Sequence, residues 1–285
     1  MKRLLRDAIS TLEYRLRRGD APGTIRMLMY HRVTDAHPRD RLCVPIARFD
    51  AQMRFLRDHG YRAVTFDEAT QWVLRGGSSS ERLVAVTFDD GYEDNFLYAY
   101  PSLTRYGLTG TFFVPSAFIE DGAGDHPSAD RPMSWAQLQE LIDLGHTVGA
   151  HSVSHRKLTT LDQVELFWEI RGCKETLEYY LDHEIDFFCY PAGDYNAFVK
   201  RVVQASGYRG ACTVAPGALR PGMDPFEMTR TDVSGFDSLW DFEKKLAGAY
   251  DWMHAAVQAA HRLSPKAKRQ PSNAVIRHPD RQEAI

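Results

Sequence analysis

Short, continuously apolar runs recur along this chain, separated by longer stretches in which apolar residues return every three or four positions. "IRMLMYH" (25–31), "RLVAVTF" (82–88), "TGTFFVP" (109–115), "TVGAH" (147–151), "DFFCYP" (186–191) and "YRGACTV" (208–214) read as strands. None alternates apolar with polar as a half-solvated strand would, so both faces of their sheet should be covered. Between them, "RFDAQMRFLRDHGY" predicts a helix opening after Pro45 and ending at Gly60, and "FDEATQWVLRGG" a second one stopped by its glycines. Further helices are expected around 93–106, from Trp135 with Ser134 as N-cap, over about 162–181, and before "YRGACTV". Residues 213–235, with Pro216, Pro221 and Pro225, read as irregular, and "SLWDFEKKLAGAYDWMHAAVQAAH" as a final helix.

Strand and helix alternating over short connections argue for a parallel sheet wrapped by helices, either open or closed as a barrel. In both architectures sites gather at the C-terminal ends of strands. "YHRV", "DDG", "HSVSH" and "YPAGDYN" all fall there. The division expected is a basic amphipathic helix over 1–20, a folded body over 21–261 and a disordered basic tail over 262–285.

The 285 residues, 44% hydrophobic and 26% charged, suffice for a large core. The net charge of −3 is unevenly spread. Residues 1–20 carry six Lys/Arg against three Asp/Glu and residues 262–285 six against two, so the ends sum to +7 and the body holds −10. A body of that sign lacks the basic patch of a nucleic-acid binder, and no nucleic-acid partner is expected. Cys43, Cys173, Cys189 and Cys212 are widely spaced with no CxxC pair, as buried thiols of a reducing compartment would be. With no apolar signal-like stretch at the N-terminus and no run long enough to span a bilayer, a cytoplasmic location is expected. Leu5, Ile9, Leu12 and Leu16 form a stripe at helical spacing. It either packs against the body or lays residues 1–18 on an anionic membrane surface.

"VTFDDGYEDN" (86–95) ends a buried strand on two adjacent aspartates. Successive strand side chains point to opposite sides, so Asp89 and Asp90 can hold two carboxylates with different tasks; helix capping or an ordinary turn is the alternative. "HSVSH" sets His151 and His155 four apart, which brings both imidazoles to one side if the segment is helical or tightly turned. Two solvated histidines would look the same. Joined to an aspartate from another strand end, they make a two-His, one-carboxylate set with open positions, the pattern of a catalytic metal site.

"TFDDG", "HSVSH" and "YPAGDYN", in that order, resemble the polysaccharide deacetylase family, the NodB-like domain of carbohydrate esterase family 4. "MLMYHRV" and "FDAQMRFLRDHGYRAVTFDEA" look like its exopolysaccharide-modifying branch, and the likeness covers about residues 24–235. The resemblance implies an α/β fold, a distorted and incomplete (β/α) barrel, and metal-dependent removal of acetyl groups from N-acetylated sugars. It makes Asp90, His151 and His155 the metal ligands, Asp89 the catalytic base that deprotonates water, and the Ala192 N–H an oxyanion donor. Zinc suits these ligands best, and cobalt, nickel or iron would also be accepted.

Two departures from the family pattern stand out. Cys189 occupies the place where many members carry an arginine that orients the base. Arg230 in "EMTRTDV" is the expected substitute, because its fork can hold a carboxylate at two points; a surface arginine beside Asp232 is the alternative. The late histidine that many members use as general acid is also missing, since only His254, His261 and His278 follow His183. His31, where the first strand ends, is the expected acid, with a buried structural histidine as the alternative. Of the aromatic residues Tyr92, Tyr190, Tyr195 and Trp135, only Tyr190 is expected to line a sugar site.

The reading is a hydrolase that removes N-acetyl groups from N-acetylhexosamine units of a polysaccharide or its lipid-linked precursor. A metal-retaining but inactive sugar-binding module, and a hydrolase of another amide or an O-acetyl ester, are its rivals.

Overall fold

The computed structural model describes residues 9–15, 23–76, 80–119 and 130–251. Its centre is a parallel sheet whose strands run, in chain order, β1 (Ile25–Tyr30), β4 (Tyr61–Ala63), β5 (Arg82–Phe88), β6 (Thr111–Val114), β7 (Thr147–Ala150), β8 (Phe187–Cys189), β9 (Gly210–Cys212) and β10 (Thr231–Asp232). β2 (Arg32–Val33) and β3 (Cys43–Val44) form a separate two-stranded ribbon. Neighbours in the main sheet follow the order β10-β1-β5-β6-β7-β8-β9, with β4 beside the start of β5. β1 and β5 are in register from Ile25↔Leu83 to Tyr30↔Phe88, and every residue of β1 is buried.

The two ends of this sheet are joined by one segment. Met228 donates its N–H to Ala211 (3.0 Å) and accepts from Thr213 (2.9 Å) beside β9. Three residues on, Thr231 stands opposite Leu28 of β1. Residues 228–232 therefore form a seam across which the curled sheet becomes barrel-like. This is the distorted, incomplete (β/α) barrel that the sequence leads one to expect, short of eight regular βα units.

The helices outside follow from local sequence. In α2 (Ile46–Asp58), Phe49, Gln52, Met53 and Leu56 share one buried face at helical spacing. In α3 (Phe66–Arg75), Thr65 and Glu68 form a reciprocal capping box and Gly76 ends the helix at φ 71°. In α5 (Trp135–Asp143), Ser134 caps the start with Gln137, as its position in the sequence predicts.

Two expected helices are each broken by a wide π turn. The one near 93–106 is a π turn at Asn95–Ala99 running into α4 (Tyr100–Arg105). The one over 162–181 is α6 (Gln163–Phe167), a π turn at Trp168–Gly172, and α7 (Cys173–Leu181). α8 (Ala197–Ala205) precedes β9, and the last described helix, α9 (Leu239–Leu246), stops at Ala247.

Helical residues 9–15, which we label α1, lie against α9: Ser10 accepts from Lys244 Nζ at 3.2 Å and the Tyr14 ring sits 4.8 Å from Trp240. The contact face is Ser10 and Tyr14, whereas Leu12 of the expected apolar stripe is 58% exposed. The remainder of the basic segment, residues 1–8 and 16–22, and the whole expected tail over 262–285 lie outside the described residues. No helix among the described residues is long and apolar enough to cross a membrane.

Candidate active site

The end of β5 sends its two aspartates apart. Asp89 donates its N–H to Tyr30 O (3.0 Å), prolonging the ladder with β1, and its side chain turns into the barrel, 2% exposed. Asp90 and Gly91 follow with φ of 73° and 71°. Two consecutive left-handed residues swing the Asp90 carboxylate up to the rim, where it keeps 20% exposure. The tightness of this turn explains the glycine: a Cβ at Gly91 would lie 3.0 Å from Val114 Cγ1.

Arg230, carried by the seam, is wholly buried and grips Asp89 with both arms: Nη1 donates to Oδ1 at 2.6 Å and Nη2 to Oδ2 at 2.7 Å. Its remaining donors are used as well, Nε on Thr213 O (2.9 Å) and Nη1 on Thr87 Oγ1 (3.1 Å), while Nη2 reaches Cys189 Sγ at 3.0 Å. Burial alone would raise the Asp89 pKa, but the guanidinium outweighs it and holds the carboxyl well below its usual range. Arg230 is thus no surface arginine. It occupies the space that a small Cys189 leaves open.

His151 follows β7 and donates its N–H to Val114 O (3.0 Å). Its Nδ1 lies 2.8 Å from the Cys189 carbonyl oxygen, which can only accept, so Nδ1 carries a proton and Nε2 faces outward. The segment to His155 is a tight turn rather than a helix. Ser152 and His155 have φ of 63° and 57°, and His155 donates its N–H to Ser152 Oγ at 2.9 Å. The turn delivers His151 Nε2 to 3.5 Å and His155 Nε2 to 3.4 Å from the same oxygen, Asp90 Oδ1.

These three donor atoms converge within 4.8 Å of one another, and a second trio, Asp89, His151 and Cys189, does the same. The first trio fits a divalent cation better. Both Asp89 oxygens are committed to Arg230, and burial pushes the Cys189 thiol up, keeping it protonated and a poor ligand. In the first trio one imidazole is oriented by a carbonyl behind it, as ligating histidines usually are. Asp90 is held below the usual carboxylate range, burial being outweighed by the His151 hydrogen bond and charge.

His31 stands directly after β1, half-buried, with its carbonyl accepting from Asn95 Nδ2 at 2.9 Å. Its Nδ1 is buried with no hydrogen-bond partner among the described residues, and a charge on its ring would act on both Asp89 and Asp90. Ala192 is exposed and left-handed, at φ 52°, in the turn after β8. Tyr190, expected to line a sugar site, does not. It is 0% exposed, stacks on Tyr195 at 4.6 Å, and spends its hydroxyl on Phe226 O at 3.1 Å, so its ring offers no face to a ligand. Apolar packing at the base of the rim claims it instead. Trp135 stacks on Tyr180, and Tyr92 lies beneath the Arg32 guanidinium at 4.2 Å.

Sequence reasoning missed the residues that hold the rim loops from behind. Asn95 sits in the first π turn and anchors His31. Glu169, 3% exposed in the second π turn, accepts the Ser154 N–H at 2.9 Å and the Ser154 hydroxyl. Gly172 inside the expected helix over 162–181 was a signal in the sequence, and a Cβ there would meet the Trp168 ring at 3.2 Å.

The polysaccharide deacetylase family model matches residues 76–211, which include both aspartates, both histidines and Ala192. YxkH of Bacillus subtilis, named for polysaccharide deacetylases, is 29% identical over 215 residues, covering 75% of this chain and 73% of its own. The poly-β-1,6-N-acetyl-D-glucosamine N-deacetylase of Staphylococcus aureus is 22% identical over 209 residues, 68% of this chain and 71% of its own. Among solved structures, the Streptococcus pyogenes deacetylase PplD, in complex with acetate, superposes with a TM-score of 0.71 at 23% identity, over 79% of this chain and 99% of that one. IcaB from Ammonifex degensii gives 0.69 at 24% identity, over 80% and 98%. The fold is shared with these deacetylases, and the part of the chain that carries both aspartates and both histidines matches the polysaccharide deacetylase family model.

Proposed function

We propose that this deacetylase is a metal-dependent N-deacetylase acting on N-acetylhexosamine units of a polysaccharide or of its lipid-linked precursor. The observation that carries the reading is the unequal treatment of two adjacent carboxylates. One is locked to a buried arginine, and the other meets two imidazoles at the rim. The name of the Staphylococcus aureus relative supports the sugar class.

Asp90, His151 and His155 would hold the cation, zinc by donor type. A divalent cation bound there supplies Lewis acidity, polarising the acetyl carbonyl and easing deprotonation of water. Asp89 takes the proton as water oxygen bonds to the acetyl carbon. Its low basicity is offset by fixed orientation, since Arg230 leaves the carboxylate one geometry. The Ala192 N–H faces the developing oxyanion. His31 gives a proton to the sugar nitrogen as the carbon–nitrogen bond breaks, releasing acetate and a free amine. Its unpartnered Nδ1 leaves the ring free of any competing acceptor on that side.

The rival reading of an inactive sugar-binding module was motivated by the missing motif arginine. Arg230 meets that objection by contacting Asp89 from the segment just before β10. The test is acetate release from N-acetylglucosamine polymers and from O-acetylated glycans, with zinc, cobalt, nickel or iron added and with a chelator. Release from the N-acetylated substrates that stops with chelator is expected, and His31→Ala should lower it by about 10²–10⁴-fold. Release from O-acetyl substrates alone, or none from any, overturns the reading.

A further inference from the structure

Glu169 is a buried acid that makes no ion pair among the described residues. Burying a carboxylate is costly unless hydrogen bonds replace its water, and an apolar side chain at this helix position would avoid that cost. Both Glu169 oxygens are spent on a single residue, Ser154, through its N–H and its hydroxyl. The backbone repeats the contact, with Val153 donating its N–H to Glu169 O at 3.1 Å. Three bonds from one residue of a π turn thus pin positions 153 and 154, immediately before His155. The extra residue in the turn turns this side chain from the helix face toward the loop.

His155 has reason to need such a brace. Its backbone is left-handed at φ 57°, a conformation that a residue with a Cβ rarely adopts. Its ring is 33% exposed, against 2% for His151, so packing does little to orient it. His151 is held from behind by the Cys189 carbonyl, whereas no other residue's carbonyl is hydrogen-bonded to the His155 ring among the described residues.

We propose that Glu169 is the positioning residue for the second imidazole of the site. Through Ser154 it fixes the turn that aims His155 Nε2 at Asp90, and it thereby sets the affinity of the site for a divalent cation. The inference rests on the proposed metal centre but adds to it a residue with no contact to the cation.

The test is cobalt and zinc affinity measured by titration calorimetry on metal-free full-length protein. Glu169→Ala should bind about 10–100-fold more weakly, the usual cost of losing an orienting partner behind a ligand. Glu169→Gln keeps an acceptor for the Ser154 N–H and a donor for its hydroxyl oxygen, and should stay within about threefold of wild type. In a His155→Ala background, Glu169→Ala should add no further loss, because the residue through which it acts is gone. Additive losses in that cycle, or full affinity in Glu169→Ala, overturn the proposal. Hydrogen exchange of the Ser154 amide supplies a readout without metal: slow in wild type and in Glu169→Gln, fast in Glu169→Ala. If wild type binds no cation, the metal reading falls, and equal exchange in all three proteins would show separately that Glu169 is no brace.

Discussion

Asp89 and Asp90 leave one strand end for two different media. Asp89 enters a dry interior and meets a permanent cation whose five donors are fixed by protein. Asp90 turns through a left-handed step to a half-open rim and meets two neutralisable bases at 3.4–3.5 Å. The contrast shows how one backbone position can yield both a carboxylate that cannot leave its place and one with charge to share. Burial decides the first role and a single positive φ the second.

The largest effect should come from making each aspartate an amide. Asp89→Asn is expected to lower turnover by about 10²–10⁴-fold with bound metal intact, whereas Asp90→Asn should lose metal and turnover together. Metal content by elemental analysis, read beside acetate release, decides the point. Metal lost from Asp89→Asn instead would reverse the assignment.

Arg230→Ala should destabilise the fold by about 3–5 kcal/mol in urea unfolding, because it strands a charge in the barrel. The double variant Asp89→Ala with Arg230→Ala should lose less than Arg230→Ala alone. A larger loss in the double variant would mean that the pair matters for volume and not for charge.

A smaller effect sharpens the electrostatic side of the contrast. Arg230 depresses the folded pKa of Asp89, so the stability of the pair is fully present above the unfolded carboxylate value near pH 4 and is lost as pH falls through the depressed one. The stability difference between wild type and Asp89→Asn should therefore be flat from pH 7 to about pH 5 and shrink below about pH 4. A difference that already fades at pH 6 would contradict the ion pair.

Much of this was legible because the period of the sequence and the period of the structure agree. β1 and β5 are buried on both sides, and their residues are apolar without alternation. The three motifs were readable because each closes such a strand. What could not be read was set by contacts between distant residues. β4 has only half-buried and exposed residues and β10 has two in all, too few to show a period. The fit of Arg230 to Asp89 spans 141 residues and brings the same guanidinium against Cys189 Sγ. Tyr190 looked like a site residue because of its motif, and only packing shows that its ring is core. In the first helix, a tyrosine and a serine that no apolar stripe points to contact α9, and of the leucine stripe Leu5 and Leu16 lie outside the described residues.

The seam at residues 228–232 bears on how the molecule is made. A ribosome has emitted the two aspartates and both histidines long before it reaches Arg230, so a nascent chain holding every earlier motif still has a buried acid without its guanidinium partner. Such a chain resists sealing around that acid. The segment that pairs with both ends of the sheet is thus also the one that supplies the guanidinium for the carboxylate proposed as the base.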